Sequence, residues 1–154
     1  MFLAFVITII LIFLGMYLIL RYFHYKADIE SMDKYLSTKN ITIKKLDDKK
    51  ILFKGENTKA GMIFYPGGNV EHTAYFPLLA ACASKGIMSI LCKMPLDLAV
   101  LKINAAKGIK KQFPEIENWY MAGHSFGGAM AAIYAYFNAN EFKGLILMAS
   151  KSSL

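Results

Sequence analysis

The stretch MAGHSFGGAMAA, residues 121 to 132, places one serine between two glycines directly after an apolar run. Glycines at 123 and 127 with Ser125 midway are typical of a sharp turn from a strand into a helix, because a side chain at either glycine would collide with neighbouring backbone. Such a turn projects the serine hydroxyl out of the fold, where it could act as a nucleophile. Patterns of this length also arise by chance, so the interpretation requires a buried strand before Ser125 and a helix after it.

Four apolar runs separated by helix-like segments predict a mostly parallel sheet. The strand candidates are AGMIFY (60 to 65), IMSILC (87 to 92), NWYMA (118 to 122) and GLILMA (144 to 149). Before them, two short β-rich runs flank Asp47 and Asp48, which are good turn residues, so an antiparallel hairpin is expected. Strands that alternate with helices in this way form βαβ units, and the predicted fold class is α/β with helices on both faces of the sheet.

Three helices are expected between these strands. Pro77 in a first turn and Gly86 at a C-terminal cap frame a helix through PLLAACASK. Asp97 is expected to cap a second helix that runs from Leu98 to about Gln112. Its apolar stripe would consist of Leu98, Leu101, Ala105, Ile109 and Phe113. The third helix, GGAMAAIYAYF, is apolar on every face, as a helix in the centre of a fold would be.

The N-terminal stretch FLAFVITIILIFLGMYLIL, residues 2 to 20, contains no charged residue. At ~1.5 Å per residue, a helix of this length can cross a bilayer core of ~30 Å. It lacks the basic start, the short apolar core and the small-residue cleavage site of a signal peptide, so residues 1–22 are predicted to be an uncleaved transmembrane anchor. Residues 23–38 are then a juxtamembrane linker, and His24 lies at the membrane interface, where no role in chemistry is expected.

The formal net charge is +7, from 18 basic and 11 acidic residues, and the basic residues are spread along the chain. Nucleic-acid binding would require a clustered basic patch, so no nucleic-acid partner is expected, and the lysines fit a solvated surface with some attraction to an anionic membrane. Four basic residues follow the apolar span closely, which favours a cytoplasmic body on a single-pass protein of the cell membrane: Arg21, Lys26, Lys34 and Lys39. Cys82 and Cys92 lie in apolar runs and are expected to be buried small hydrophobes.

A serine hydroxyl is a weak nucleophile at neutral pH, so it needs a base that takes its proton and amides that hold the oxyanion. In a turn of this kind one amide belongs to the residue after the serine, here Phe126, and the second comes from the loop after an earlier strand. The loop YPGGNV, residues 65 to 70, takes that place, and Gly68 is the expected donor. Its neighbours Gly67 and Asn69 are candidate substrate-binding positions.

Three ordered segments, FYPGGNVEHTAYFPLLA, KMPLDLAVLKINAA and WYMAGHSFGGAMAA, resemble the α/β-hydrolase superfamily. More narrowly, they resemble its small bacterial membrane-anchored "alpha/beta hydrolase fold-5" group, which is distantly similar to dienelactone hydrolases. Residues 39–154 are therefore expected to form the N-terminal portion of an α/β-hydrolase domain. The resemblance implies that Ser125 is the nucleophile, that the N–H groups of Phe126 and Gly68 form the oxyanion hole, and that a carboxylic ester, thioester or lactone is cleaved through an acyl-serine intermediate.

In this fold the acid and the histidine of the triad follow the serine along the chain. Only SKSSL follows the last predicted strand, so neither residue is assigned, and the sequence is expected to be truncated at its C-terminus. The alternative to an enzyme is a catalytically incomplete, membrane-anchored fragment that pairs with a missing C-terminal half. The substrate of the enzyme would be a small-molecule or lipid-like ester.

Two histidines and two carboxylates near the turn are further candidates for chemistry. His124 adjoins Ser125, but a sharp turn aims the two side chains in different directions, so His124 is expected to pack beside the turn. His72 follows the oxyanion loop, and a surface or substrate contact is expected there. Glu71 and Asp97 lie at strand-to-helix connections, where the helix dipole already stabilises a carboxylate. No cluster has metal-ligand spacing and GHSFGG lacks a dinucleotide fingerprint, so no metal or other cofactor is predicted.

Overall fold

The computed structural model describes residues 1–22, 24–27, 37 and 40–149. The regular elements, in chain order, are α1 (Phe2–Tyr22), β1 (Ile41–Asp47), β2 (Lys50–Gly55), β3 (Ala60–Tyr65), α2 (Phe76–Ser84), β4 (Ile87–Cys92), β5 (Trp119–His124), α3 (Ser125–Phe137) and β6 (Gly144–Met148). Short 3-10 turns lie in several of the connections.

The described strands form one sheet in the order β1-β2-β4-β3-β5-β6. Strands β1 and β2 form the predicted antiparallel hairpin, in whose turn the carboxylate of Asp47 accepts the N–H of Lys49 at 2.7 Å. Strand β2 is also antiparallel to β4, whereas β4, β3, β5 and β6 are parallel to one another. The predicted α/β fold, a mostly parallel sheet preceded by a hairpin, is confirmed.

Both faces of the sheet are covered by a core. Successive side chains of a strand point to opposite faces, so each strand contributes to both cores. In β3, Met62 and Phe64 belong to the core that includes Leu79 of α2. Ile63 and Tyr65 belong to the core on the other face, which includes residues of α3. This two-sided burial explains why the strand is continuously apolar.

The predicted helix from Leu98 to about Gln112 is wrong. The chain instead forms 3-10 turns over Ala99–Ala106 and Lys110–Gln112, and the backbone angles at Lys102 and Asn104 are not helical. The segment between β4 and β5 is therefore a compact irregular connection rather than an α-helix.

The buried hydroxyl of Tyr65 gives the physical reason. It donates to the carbonyl of Ile103 and accepts the N–H of Ala106, two backbone groups that a continuous α-helix would pair within itself. The predicted apolar stripe is correspondingly broken, because Ile109 is fully buried whereas Leu101 is 52% exposed. A tertiary hydrogen bond thus overrides the local helical pattern.

Helix α3 is buried on one side only, unlike the expectation from its apolar sequence. Tyr136 and Phe137 are exposed, and so is Ile133. Beside it, β6 is the edge strand of the described sheet, and Leu145 and Leu147 are partly exposed. This edge is thus the apolar, unpaired side of the described fold.

Helix α1 is long and apolar enough to cross a membrane over Phe2–Ile19, and none of this window is buried against the rest of the described chain. Most of the predicted linker, residues 23–38, lies outside the described residues, so its boundary stays a prediction. Within it, residues 24–27 contact the folded body. Cys92 is buried and Cys82 partly buried, and both are free thiols.

Candidate active site

Ser125 lies at the junction of β5 and α3, where the chain leaves the carboxyl edge of the sheet. Its φ angle of 50° falls in the left-handed region, which residues other than glycine rarely adopt. The side chain is exposed. The strand, the turn and the helix that the motif requires are all present, and the strained backbone marks the turn as a candidate functional position.

The glycines on either side of Ser125 make this turn possible. A Cβ atom on Gly127 would lie 1.9 Å from the carbonyl oxygen of Pro66, and one on Gly123 would lie 2.7 Å from the backbone of Gly128. Both clashes involve backbone atoms, so side-chain rotation cannot relieve them. The predicted steric reason for the glycines is confirmed, and the turn packs directly on the loop that follows β3.

The amides of that loop have different partners. The N–H of Gly67 donates to the hydroxyl of Tyr75 at 2.9 Å. The N–H of Asn69, a residue at φ 59°, donates to the carbonyl of Asp97 at 2.9 Å. Between them, the N–H of Gly68 has no acceptor within the described part of the chain, so it is the amide of these three that is available to a ligand.

Gly68 lies beside the residue that follows the serine. A Cβ atom on Gly68 would lie 3.4 Å from the Cβ of Phe126. Phe126 is in the first turn of α3, where an N–H has no partner within the helix, and no side chain caps this helix. Two neighbouring residues, Gly68 and Phe126, therefore have amides without acceptors next to the turn at Ser125, and their role as oxyanion donors stays a prediction.

Tyr75, which the sequence analysis did not single out, joins the loop to the turn. Its hydroxyl lies 2.9 Å from Nδ1 of His124 and also accepts the N–H of Gly67. A Cβ atom on Gly67 would lie 2.6 Å from that nitrogen, so only glycine fits between the two rings. Burial raises the pKa of the Tyr75 hydroxyl, which keeps it neutral at neutral pH. His124 thus packs beside the turn, as predicted.

The other predicted polar residues lie on the same edge of the sheet, and among the described residues none of them is hydrogen-bonded to the serine. His72 is half-buried at the start of a 3-10 turn, and burial, followed by the positive charge of Lys93, lowers its pKa. Asp97 does not cap a helix, because its backbone has a φ of 55° and its carboxylate binds His24. Among the described residues, no histidine or carboxylate is hydrogen-bonded to Ser125.

The segment after α1 runs along the candidate oxyanion loop. The N–H of Tyr25 donates to the carbonyl of Asn69 at 3.0 Å, and the carbonyl of Tyr25 accepts the N–H of Glu71 at 2.9 Å. These bonds form a parallel bridge between Tyr25 and Val70. Such a short pairing has no apolar periodicity, so no sequence pattern could have revealed it.

Side chains reinforce this contact. Nε2 of His24 lies 2.9 Å from Oδ2 of Asp97, and both side chains are largely buried. The carboxylate of Glu71 accepts the N–H of Ala27 at 3.0 Å, and this hydrogen bond is the main cause of the lowered pKa of Glu71. His24, for which no role was expected, is therefore part of a docked segment beside the candidate site.

A serine at positive φ between a parallel strand and a helix, facing a glycine loop from a neighbouring strand, is the geometry of the α/β hydrolases. Residues 61–153 match the model of the alpha/beta hydrolase family, and the chain belongs to this family. The resemblance seen in the sequence is thereby confirmed.

Solved structures of esterases and lipases share the fold. A bacterial heroin esterase is 14% identical, with a TM-score of 0.56 over 78% of this chain and 48% of that chain. A thermostable carboxyl esterase from Bacillus coagulans in complex with glycerol is 15% identical, with a TM-score of 0.51 over 71% of this chain and 44% of that one. A soluble variant of monoglyceride lipase from Saccharomyces cerevisiae in complex with a substrate analogue is 17% identical, with a TM-score of 0.52 over 72% and 45%.

The chain spans about half the length of these structures. At such identities the likeness shows the fold alone. No curated protein matches the sequence.

Proposed function

We propose that this protein is a membrane-anchored serine hydrolase that cleaves a carboxylic ester, thioester or lactone through an acyl-serine intermediate. One observation carries the proposal: the exposed Ser125 is followed by Phe126, Gly68 lies beside Phe126, and the amides of Gly68 and Phe126 have no acceptor among the described residues. Membership of the alpha/beta hydrolase family and the likeness to esterase folds support a hydrolase in general.

In the proposed mechanism the hydroxyl oxygen of Ser125 attacks the substrate carbonyl, and the N–H groups of Gly68 and Phe126 donate to the oxygen that becomes negative. The bond to the leaving group then breaks, and the leaving group takes the proton that a base removed from Ser125. Water next attacks the carbonyl carbon of the acyl-serine, its hydroxyl stays on the released acid and its proton returns to the Ser125 oxygen, so that one water molecule is consumed and the hydroxyl is restored. One oxyanion donor is worth ~10²–10³ in kcat in well-studied hydrolases.

We assign Gly67 a different role from that of its neighbours. Its amide is held by Tyr75 and its Cα lies against two rings, so it fixes the loop rather than contacting the substrate. Asn69 and His72 lie farther along the same segment, on the carboxyl edge of the sheet, and are proposed to contact the substrate.

The base and acid of the triad are proposed to come from polypeptide that follows β6. No described histidine or carboxylate hydrogen-bonds to Ser125, and solved relatives of the fold are about twice as long. The edge strand β6 also carries exposed apolar residues, Leu145 and Leu147, which suit the packing of further structure.

The second candidate function is a non-enzymatic, membrane-anchored fragment. It is favoured by one observation, that Ser125 has no base within hydrogen-bonding distance among the described residues. In both cases we propose α1 as a single-pass anchor in the cell membrane, because its apolar window has no contact that buries it. The basic residues after it favour a cytoplasmic body.

Labelling with a fluorophosphonate probe distinguishes the serine hydrolase from the non-enzymatic fragment. The full chain, purified in detergent, would be compared with its Ser125→Ala variant and with Ser84→Ala, which removes an exposed hydroxyl at the end of α2. Labelling that is lost only in Ser125→Ala supports the serine hydrolase. If all three proteins stay unlabelled while folded, the chain itself is the incomplete fragment of the second candidate.

A further inference from the structure

The end of α1 lies on the same edge of the sheet as Ser125. Tyr17 and Arg21 of α1 line a small cavity of about 50 Å³ together with Asn69, Leu96 and Leu98. These last three residues belong to the loops that follow β3 and β4, at the carboxyl edge of the parallel strands. If α1 crosses a membrane, this edge is the part of the body next to the bilayer.

The connection between helix and body is short. Only two residues separate Tyr22, at the end of α1, from Tyr25, whose backbone is hydrogen-bonded to Asn69. Because one residue spans at most ~3.5 Å, the loop is held within roughly 15 Å of the end of the helix. The contact between His24 and Asp97 fixes a second loop of the same edge at a similar distance.

Lysines gather at this edge although they are spread along the sequence. A cavity of about 410 Å³ is lined by Asn104, Ala105 and five lysines: Lys49, Lys50, Lys93, Lys102 and Lys107. Lys50 is paired with Asp47 at 2.8 Å. Within the described ranges the other four have no carboxylate at ion-pair distance, so the lining carries more positive than negative charge, which favours an anion.

Two exposed apolar side chains lie on the same edge of the sheet as the lysine cavity and the serine. Leu96, three residues after Lys93, is 69% exposed, and Phe126, next to Ser125, is 41% exposed. Large apolar side chains beside a basic surface are typical of proteins that rest in the interface of an anionic bilayer, where the rings and methyl groups leave water.

We propose that this edge of the protein rests on the surface of a bilayer that contains anionic lipids, with the lysine cavity over the headgroups and Leu96 and Phe126 in the interface. Ser125 then opens towards the leaflet, and the substrates are lipid-like esters that the membrane presents. The statement about substrates rests on the proposed hydrolase function; the statement about the surface does not. A free anion could also fill the lysine cavity, but the end of α1 against the same loops favours the membrane.

Quenching by brominated lipids tests the orientation. The full chain would be reconstituted in phosphatidylcholine vesicles with or without phosphatidylglycerol, in a Cys82→Ala background that leaves only the buried Cys92. A bimane fluorophore at Leu96→Cys would be compared with one at Lys85→Cys, an exposed site at the opposite edge, just before β4. We expect quenching at Leu96 to exceed that at Lys85 several-fold, and to increase with phosphatidylglycerol.

Charge-matched variants test the lysines. The triple variant Lys93→Gln, Lys102→Gln and Lys107→Gln should lose the increase that phosphatidylglycerol causes at the Leu96 probe. A control triple at the opposite edge removes the same charge and should keep that increase: Lys59→Gln, Lys85→Gln and Lys143→Gln. Equal effects of the two triples would overturn the role of the cavity.

The remaining outcomes distinguish failure of the proposed membrane surface from failure of the proposed hydrolase. Equal quenching at Leu96 and Lys85 overturns the membrane surface, and a thermal shift by inorganic phosphate that needs the three cavity lysines would then identify a free anion as the occupant. Fluorophosphonate labelling of Ser125 is read in the same samples. Labelling without quenching at Leu96 rejects the surface and keeps the hydrolase, whereas quenching without labelling keeps the surface and rejects the enzyme.

Discussion

The hydroxyl of Tyr75 lies 2.9 Å from Nδ1 of His124, so the turn that leads into α2 is joined to the last residue of β5. The same hydroxyl accepts the N–H of Gly67. One oxygen atom therefore connects the loop that carries the Gly68 amide with the turn that carries Ser125. The separation of the proposed nucleophile from the proposed oxyanion donor depends on this connection.

Replacing Tyr75 by phenylalanine should impair both stability and labelling. Loss of the hydroxyl leaves the buried N–H of Gly67 without a partner, at a cost of about 1–3 kcal/mol in the free energy of unfolding. Movement of the loop should slow fluorophosphonate labelling of Ser125 by about tenfold, because small misplacements of a reacting group have large kinetic effects. Urea unfolding followed by Trp119 fluorescence and time-resolved labelling measure the two effects.

Tyr134→Phe is the matched control for this variant. Tyr134 is 5% exposed, and its hydroxyl has no hydrogen-bond partner in the described part of the chain. The Tyr134→Phe variant should be labelled by the fluorophosphonate at the rate of the unmodified protein. If Tyr75→Phe labels at that same rate, the hydroxyl does not set the position of the loop.

The strain at Ser125 predicts a stability difference between two inactive variants. At a φ of 50°, a Cβ atom is unfavourable, and glycine is free of this cost. Ser125→Gly should therefore be about 1 kcal/mol more stable to urea than Ser125→Ala, although both lack the hydroxyl. Equal stabilities of the Ser125→Ala and Ser125→Gly variants would show that the turn relaxes and stores no strain.

The fold could be predicted from the sequence where local signals agree. The strand AGMIFY ends at Tyr65, directly before Pro66, and α2 begins next to Pro77 and ends shortly before Gly86, so apolar pattern and turn chemistry identify the same boundaries. The helix predicted after Leu98 does not form because the hydroxyl of Tyr65 is hydrogen-bonded to two backbone groups of this segment. No local sequence pattern indicates such a bond.

The residues of the candidate site also differ in whether the sequence alone could predict them. Ser125 and Gly68 lie in motifs whose glycines have a local steric meaning, and these motifs could be recognised. Tyr75 and His24 act through partners that are distant in sequence, 49 and 73 residues away respectively, so only the fold brings them to the site.

Burial of Cys92 predicts a pH dependence of stability. Burial raises the pKa of its thiol to about 12. In the unfolded chain a thiol titrates near ~8.5, so the stability contribution is complete below that pH and is lost as the pH rises towards the folded value. Between about pH 9 and about pH 11, the free energy of unfolding should fall by ~1.4 kcal/mol per pH unit more in the unmodified protein than in Cys92→Ala. Parallel pH profiles for the two proteins would contradict this prediction.

The contact between His24 and Asp97 should hold residues 24–27 on the body. The pair is largely buried at 2.9 Å, and a hydrogen bond to a charged group contributes about 1.5–3 kcal/mol, so His24→Ala should increase local opening by about tenfold or more. Hydrogen exchange at the amides of Tyr25 and Glu71, which form the adjoining bridge, measures this opening.

The exposed pair of Lys54 and Glu115, at 3.3 Å, is the control, since exposed pairs contribute about 0–1 kcal/mol. Lys54→Ala should leave both amides unchanged, and unchanged exchange in His24→Ala as well would show that the backbone bridge alone holds the segment.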